Sequence, residues 1–145
     1  MQITVGPNPI TVTALGRLVL SGNTQAHQIT LVDAANSNLL GSVTVNTAGV
    51  TAGQFVYATL SSPVTLSANQ VYYILSMENS GGDFWYENNV VVTTTSAAHL
   101  DYSVFESTPG GPVMAGEGPG NHLANQPYVP VDFQYSMSCI NSGLI

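Results

Sequence analysis

The side chains best suited to chemistry lie together at residues 78–89, ENSGGDFWYENN. That stretch holds Glu78, Asp83 and Glu87, three of the eight carboxylates, and the only tryptophan, Trp85, between Phe84 and Tyr86. Asn79, Asn88 and Asn89 add amides, and Gly81-Gly82 precede the aromatic run. Flat apolar rings beside carboxylates and amides match a ligand with one apolar face and a rim of hydroxyls, as in a sugar. Rings stack on the apolar face, and ionised oxygens accept strong hydrogen bonds from the rim. Trp85 and Tyr86 are then the candidate stacking residues, with Asp83, Glu87 and Asn88 as acceptors. The competing reading makes Trp85 the largest side chain of a core strand, since large aromatics are highly buried on average.

Two further chemistries fit the same stretch. Asp83 and Glu87 could act as the acid and base of glycoside hydrolysis, which needs two carboxyls roughly 5–9 Å apart. A chain of this size with short loops has little material for the cleft such a reaction needs. Calcium takes carboxylate, amide and backbone oxygens, and Glu78, Asn79, Asp83 and Glu87 supply them without the spacing of an EF-hand. No other cofactor is implied. Nucleophile elbows, phosphate loops and His-Glu-x-x-His or Cys-x-x-Cys pairs are absent. His27, His99 and His122 are far apart in sequence and read as polar surface residues of turns, not as a metal site. Arg17, the only arginine, is expected to pair with a carboxylate and lock two strands together, with ligand binding as its sharper alternative.

Composition narrows the partners. Of 145 residues only 6% are charged, there is no lysine, and the formal charge is −7. Such a surface repels phosphate backbones, which excludes nucleic acid and binding to anionic headgroups. No apolar run is long enough to insert into a membrane as a helix. Cys139 is alone, so no internal disulfide forms. Met1 leads directly into β-type residues without the pattern of a signal peptide. Either a leader has been removed or the protein leaves a cytoplasm by another route.

Positioning falls to β-strands. Period-two alternation with β-branched residues dominates, and expected strands recur about every 10 residues between turn signals. They are Ile10–Ala14, Arg17–Ser21, Gln28–Asp33, Leu39–Asn46, Gln54–Leu60, Pro63–Leu66, Val71–Ser76, Val90–Thr95, Leu100–Phe105 and Val129–Tyr135. The expected fold is all-β, an antiparallel sandwich of jelly-roll type forming a single domain over 1–145. Residues 1–9 form an N-terminal arm, 108–125 a long Gly/Pro-rich loop, and 136–145 a C-terminal tail.

The ordered set of Leu15-Gly16-Arg17, Ser21-Gly22-Asn23, the Gln54–Tyr73 block and Gly81-Gly82-Asp83 leading to Trp85-Tyr86 resembles a family of small modules. These are the galactose-binding-like jelly rolls and carbohydrate-binding modules of extracellular bacterial proteins, and the likeness spans about residues 8 to 135. It implies a non-enzymatic, lectin-like module that binds carbohydrate outside the cell. Such modules accompany catalytic domains or adhesins, whereas this sequence reads as one module, a departure from the context the resemblance implies. The rival expectation is a self-assembling structural subunit of a surface filament or virion decoration. In it, copies join by strand addition through Ile3 and Val5, or through Leu144 and Ile145.

Overall fold

The computed structural model describes residues 1–84, 93–106, 108, 111–115 and 131–137. Among these the chain forms β1 (Gln2–Val5), β2 (Ile10–Leu18), β3 (Ala26–Asp33), β4 (Leu39–Asn46) and β5 (Phe55–Leu66). They are followed by β6 (Val71–Ser76), β7 (Ala98–Tyr102), β8 (Val104–Glu106), β9 (Val113–Ala115) and β10 (Val131–Met137). A five-stranded sheet in the order β4-β3-β6-β1-β7 packs on a three-stranded sheet, β10-β2-β5, and β8 pairs with β9 apart from both. Every pairing is antiparallel. The protein is an all-β sandwich.

Alternation builds the core. Ile29 and Leu31 of β3, Val43 and Val45 of β4, Tyr72 and Ile74 of β6 and Leu100 of β7 face inward from one sheet. Ile10, Val12 and Leu15 of β2, Leu60 and Leu66 of β5 and Val131 of β10 meet them from the other. Each aliphatic side chain so buried contributes roughly 1.5–3 kcal/mol.

Residues 1–9 are not an arm. Ile3 pairs with Tyr72 on one side and Leu100 on the other, so β1 is an interior strand of the larger sheet. Ile3 and Val5 are buried in the core. Strand addition requires an unpaired edge, and both edges of β1 are used within the chain. The assembly role expected of Ile3 and Val5 is therefore corrected to a core role. Leu144 and Ile145 lie outside the described residues.

Two expected breaks do not occur, and one of them sets the site. Arg17 and Gly16 belong to the same strand as Ile10, and Pro63 lies within β5. Ala14 sits opposite Gln134 and Val12 opposite Tyr135, so β2 carries one extra residue, Thr13, against β10. An extra residue in a strand exchanges its two faces from that point on. Before it Ile10 and Val12 point inward; after it Leu15 and Arg17 do. This bulge turns Arg17 into the sandwich. Elsewhere, the expected strand Leu100–Phe105 divides at Ser103 into β7 and β8, and of Val90–Thr95 residues 90–92 lie outside the described residues.

Candidate functional site

At the end of the sandwich where β2 finishes and β3 begins, four ionisable side chains from three segments meet. Arg17 comes from β2, His27 from β3, and Glu78 and Asp83 from the segment following β6. Arg17 is completely buried. All five of its N–H donors have acceptors: Nε and Nη2 bind the two oxygens of Glu78 at 3.0 and 3.1 Å, a bidentate pair. The remaining Nη2 hydrogen goes to the Phe84 carbonyl at 3.3 Å, and Nη1 donates to the Leu18 carbonyl and Asn23 Oδ1 at 3.2 and 3.1 Å. A buried guanidinium left with free donors would be costly, and the planar fork suits a carboxylate as no ammonium does.

Asp83 is the second anchor. Its carboxylate accepts from the backbone N–H of Thr24 at 2.8 Å, from that of Gln25 at 2.9 Å and from Thr47 Oγ1 at 2.8 Å. His27 Nε2 lies 3.0 Å from Oδ2. Burial alone would push the Asp83 carboxyl up, but the hydrogen bonds from His27, the Gln25 and Thr24 backbone and Thr47 outweigh it. They hold the group well below the usual carboxylate range. His27 is wedged between the two acids, its Nδ1 lying 3.1 Å from Glu78 Oε2 and 3.3 Å from the Met77 carbonyl. Both ring nitrogens face oxygens that only accept, so the ring satisfies the site fully when both carry hydrogen. In that state two cations balance two anions.

The intervening segment is bent to bring these anchors together. Gly82 N–H donates to the Asn79 carbonyl at 2.9 Å, closing a turn in which Gly81 has φ 75°. A non-glycine residue takes that left-handed conformation only at a cost. Asn23 completes the clamp: its Nδ2 donates to the Phe84 carbonyl at 2.9 Å while its Oδ1 accepts from Leu20 N–H at 2.8 Å. The result is a loop, 77–84, whose carboxylates and last carbonyl point into the protein. Its Phe84 ring stands 58% exposed, and Trp85 follows directly in the chain.

Several expectations change here. Asp83 is not an acceptor for a ligand, because its oxygens are engaged internally and the side chain is buried. The same engagement withdraws Asp83 from an acid–base pair, and withdraws both Glu78 and Asp83 as calcium ligands. Among the described residues no group of three or more His, Cys, Asp or Glu is placed to hold a metal. Arg17 does pair with a carboxylate, but it fastens a strand to a loop instead of joining two strands. His27 is buried, not a polar surface residue of a turn. Trp85, Tyr86, Glu87 and Asn88 lie outside the described residues, and Asn79 is exposed. Thr47 is not singled out by sequence, and Asn23 reads there only as part of a turn; nothing in the spacing of Asn23, His27 and Thr47 links them to Asp83 or Phe84, which lie 36 or more residues away in the chain. Compared with protein-family models, curated proteins and solved structures, the chain finds no match.

Proposed function

We propose that the protein is a non-enzymatic carbohydrate-binding module whose ligand is presented to the aromatic run that begins at Phe84. The observation that carries this reading is the buried Arg17–Glu78–His27–Asp83 network, which fixes the loop immediately before Trp85 and Tyr86. A stacking site gains affinity when its rings are held in place before the ligand arrives, since less ordering entropy is lost on binding. In this division of labour Trp85 and Tyr86 stack on the sugar, Glu87 and Asn88 accept from its hydroxyls, and Asp83 holds the loop. The location expected for such a module is outside the cell or on a cell surface.

The test is a glycan array probed with the wild-type chain, Trp85→Ala and Asp83→Asn. Binding abolished by Trp85→Ala and weakened by Asp83→Asn supports the reading. Equal binding by wild type and Trp85→Ala sinks it.

A further inference from the structure

On the outward face of the three-stranded sheet, Tyr57 of β5 reaches across β2 toward β10. The register places Tyr57, Gly16 and Asp132 in one row. Tyr57 Oη donates to Asp132 Oδ2 at 2.6 Å. The ring passes over Gly16 so closely that a Cβ there would lie 2.4 Å from Tyr57 Cδ1. The ring is the closest obstacle to a side chain at this point, and the Val56 carbonyl oxygen, 3.0 Å from the same position, crowds it further. Two residues back on the same face, Phe55 stacks beside Tyr57 with ring centroids 6.0 Å apart and planes 27° from parallel. Phe55 is 40% exposed. The next row of this face brings Thr59 and Gln134, both exposed, alongside.

We propose that Phe55, Tyr57 and Asp132 form a second carbohydrate platform on the sheet face, made of other residues than Trp85 and Tyr86, that accepts uncharged sugars and rejects acidic ones. This inference rests on the carbohydrate-binding reading above. The Tyr57 ring, held by its hydrogen bond to Asp132, and the Phe55 ring stacked against it supply an apolar area on the sheet face. Asp132 Oδ1 accepts from Phe133 N–H at 2.8 Å and Oδ2 from Tyr57, which leaves a lone pair on each oxygen for hydroxyl donors.

The charge preference follows from where the cations are. The chain has no lysine, its one arginine is buried against Glu78, and the Met1 amine is buried in the core. His99, the exposed imidazole among the described residues, is on β7 of the other sheet. An acidic sugar at the platform would meet Asp132 with no cation beside it among the described residues, and in a chain of charge −7 that contact is repulsive.

The experiment is affinity electrophoresis of wild type, Phe55→Ala, Asp132→Asn and Trp85→Ala through gels containing galactomannan, mixed-linkage β-glucan, soluble starch, alginate or heparin. Wild type should be retarded by at least one neutral polymer and by neither alginate nor heparin. Phe55→Ala and Asp132→Asn should each weaken that retardation roughly two- to tenfold, the span of one aromatic or polar contact. Trp85→Ala should leave a residual component that vanishes when combined with Phe55→Ala. If Phe55→Ala and Asp132→Asn both bind as wild type while Trp85→Ala abolishes binding, the platform is refuted and the loop site stands. Retardation by no neutral polymer refutes both. Retardation by alginate or heparin refutes the charge preference.

Discussion

Replacing Asp83 by asparagine asks whether the loop is held by charge or by shape alone. The amide is nearly isosteric with the carboxylate, so no cavity forms. With its oxygen toward Gln25 N–H, Thr47 and His27, the amide NH2 faces the Thr24 N–H that Oδ1 accepted at 2.8 Å. Turned over, the NH2 faces Gln25 N–H and His27 Nε2. In both orientations a donor meets a donor, and the remaining bonds lose their ionic component. Hydrogen bonds to a charged group contribute about 1.5–3 kcal/mol each, and breaking a buried pair costs about 3–5 kcal/mol. Because part of the set survives in weaker form, the expected loss is about 3 kcal/mol at pH 7. With a typical urea slope near 2 kcal/mol/M, that lowers the unfolding midpoint by about 1.5 M.

The same substitution has a pH signature. The folded Asp83 carboxyl titrates below its ordinary 3.8. A depressed carboxyl contributes stability that is fully present above the unfolded value and is lost as pH falls through the folded one. The wild type should therefore lose this contribution as pH falls below about 4, whereas the asparagine variant has none to lose. Urea unfolding of both proteins between pH 7 and pH 2 should show two curves converging on the acid side. Equal midpoints at pH 7, or a gap as wide at the acid end as at neutrality, would show that the charge of Asp83 does not hold the loop.

Arg17→Lys keeps the charge but supplies three donors where five are used; a loss of about 2–4 kcal/mol is expected in thermal or urea unfolding, and a loss under about 1 kcal/mol would contradict the bidentate geometry. Gly16→Ala drives a methyl into the Tyr57 ring and should cost about 1–3 kcal/mol, with Tyr57→Ser in the same chain recovering part of it; no recovery would mean the strain lies elsewhere. Burial pushes the Met1 α-amine down from 8.0 to about 5, while its hydrogens still point at the Ile74 carbonyl 2.7 Å away. A buried amine with a lowered value costs stability wherever the unfolded amine is protonated, so for this 145-residue chain stability should rise by about 1 kcal/mol per pH unit between pH 5 and 8. Urea midpoints across that window check the slope, and acetylation of the amine should flatten it.

The elements most legible in the sequence are those whose signals are local. Leu39–Asn46 and Val71–Ser76 are β4 and β6 to the residue because alternation and flanking turn residues agree there. Gly16 and Pro63 read as breaks because their local preferences are for turns. In the folded chain Gly16 instead makes room for Tyr57, and Pro63 falls where the β2–β5 register is irregular. β1 was hidden for another reason: it is short, and its partners Tyr72 and Leu100 are far along the chain. Counting by twos also could not assign the face of Arg17, since the bulge at Thr13 reverses the count. Of the stretch at 78–89, the importance of Glu78 and Asp83 was legible, but their chemistry was not. Period and composition show that acids and aromatics are adjacent, not that Asp83 turns back onto the amides of Thr24 and Gln25.

The network at Arg17 and the proposed preference for neutral ligands share one physical origin. A buried ion pair is a weak means to stability, because an apolar cluster of similar volume performs as well or better. What directional, charge-assisted bonds supply instead is geometry: the five donors on Arg17 and the bonds around Asp83 are all satisfied in the observed arrangement of the segment from Met77 to Phe84, and a different arrangement of that segment gives up part of the set. In a chain with no lysine, committing the one arginine to that task leaves its surface without a guanidinium or a side-chain ammonium. On the proposed reading, fixing the loop and disfavouring acidic ligands follow from the same placement of one residue. Moving a cation to the surface by Gln134→Lys, beside Asp132, should accordingly admit alginate to the Phe55–Tyr57 face without disturbing the loop.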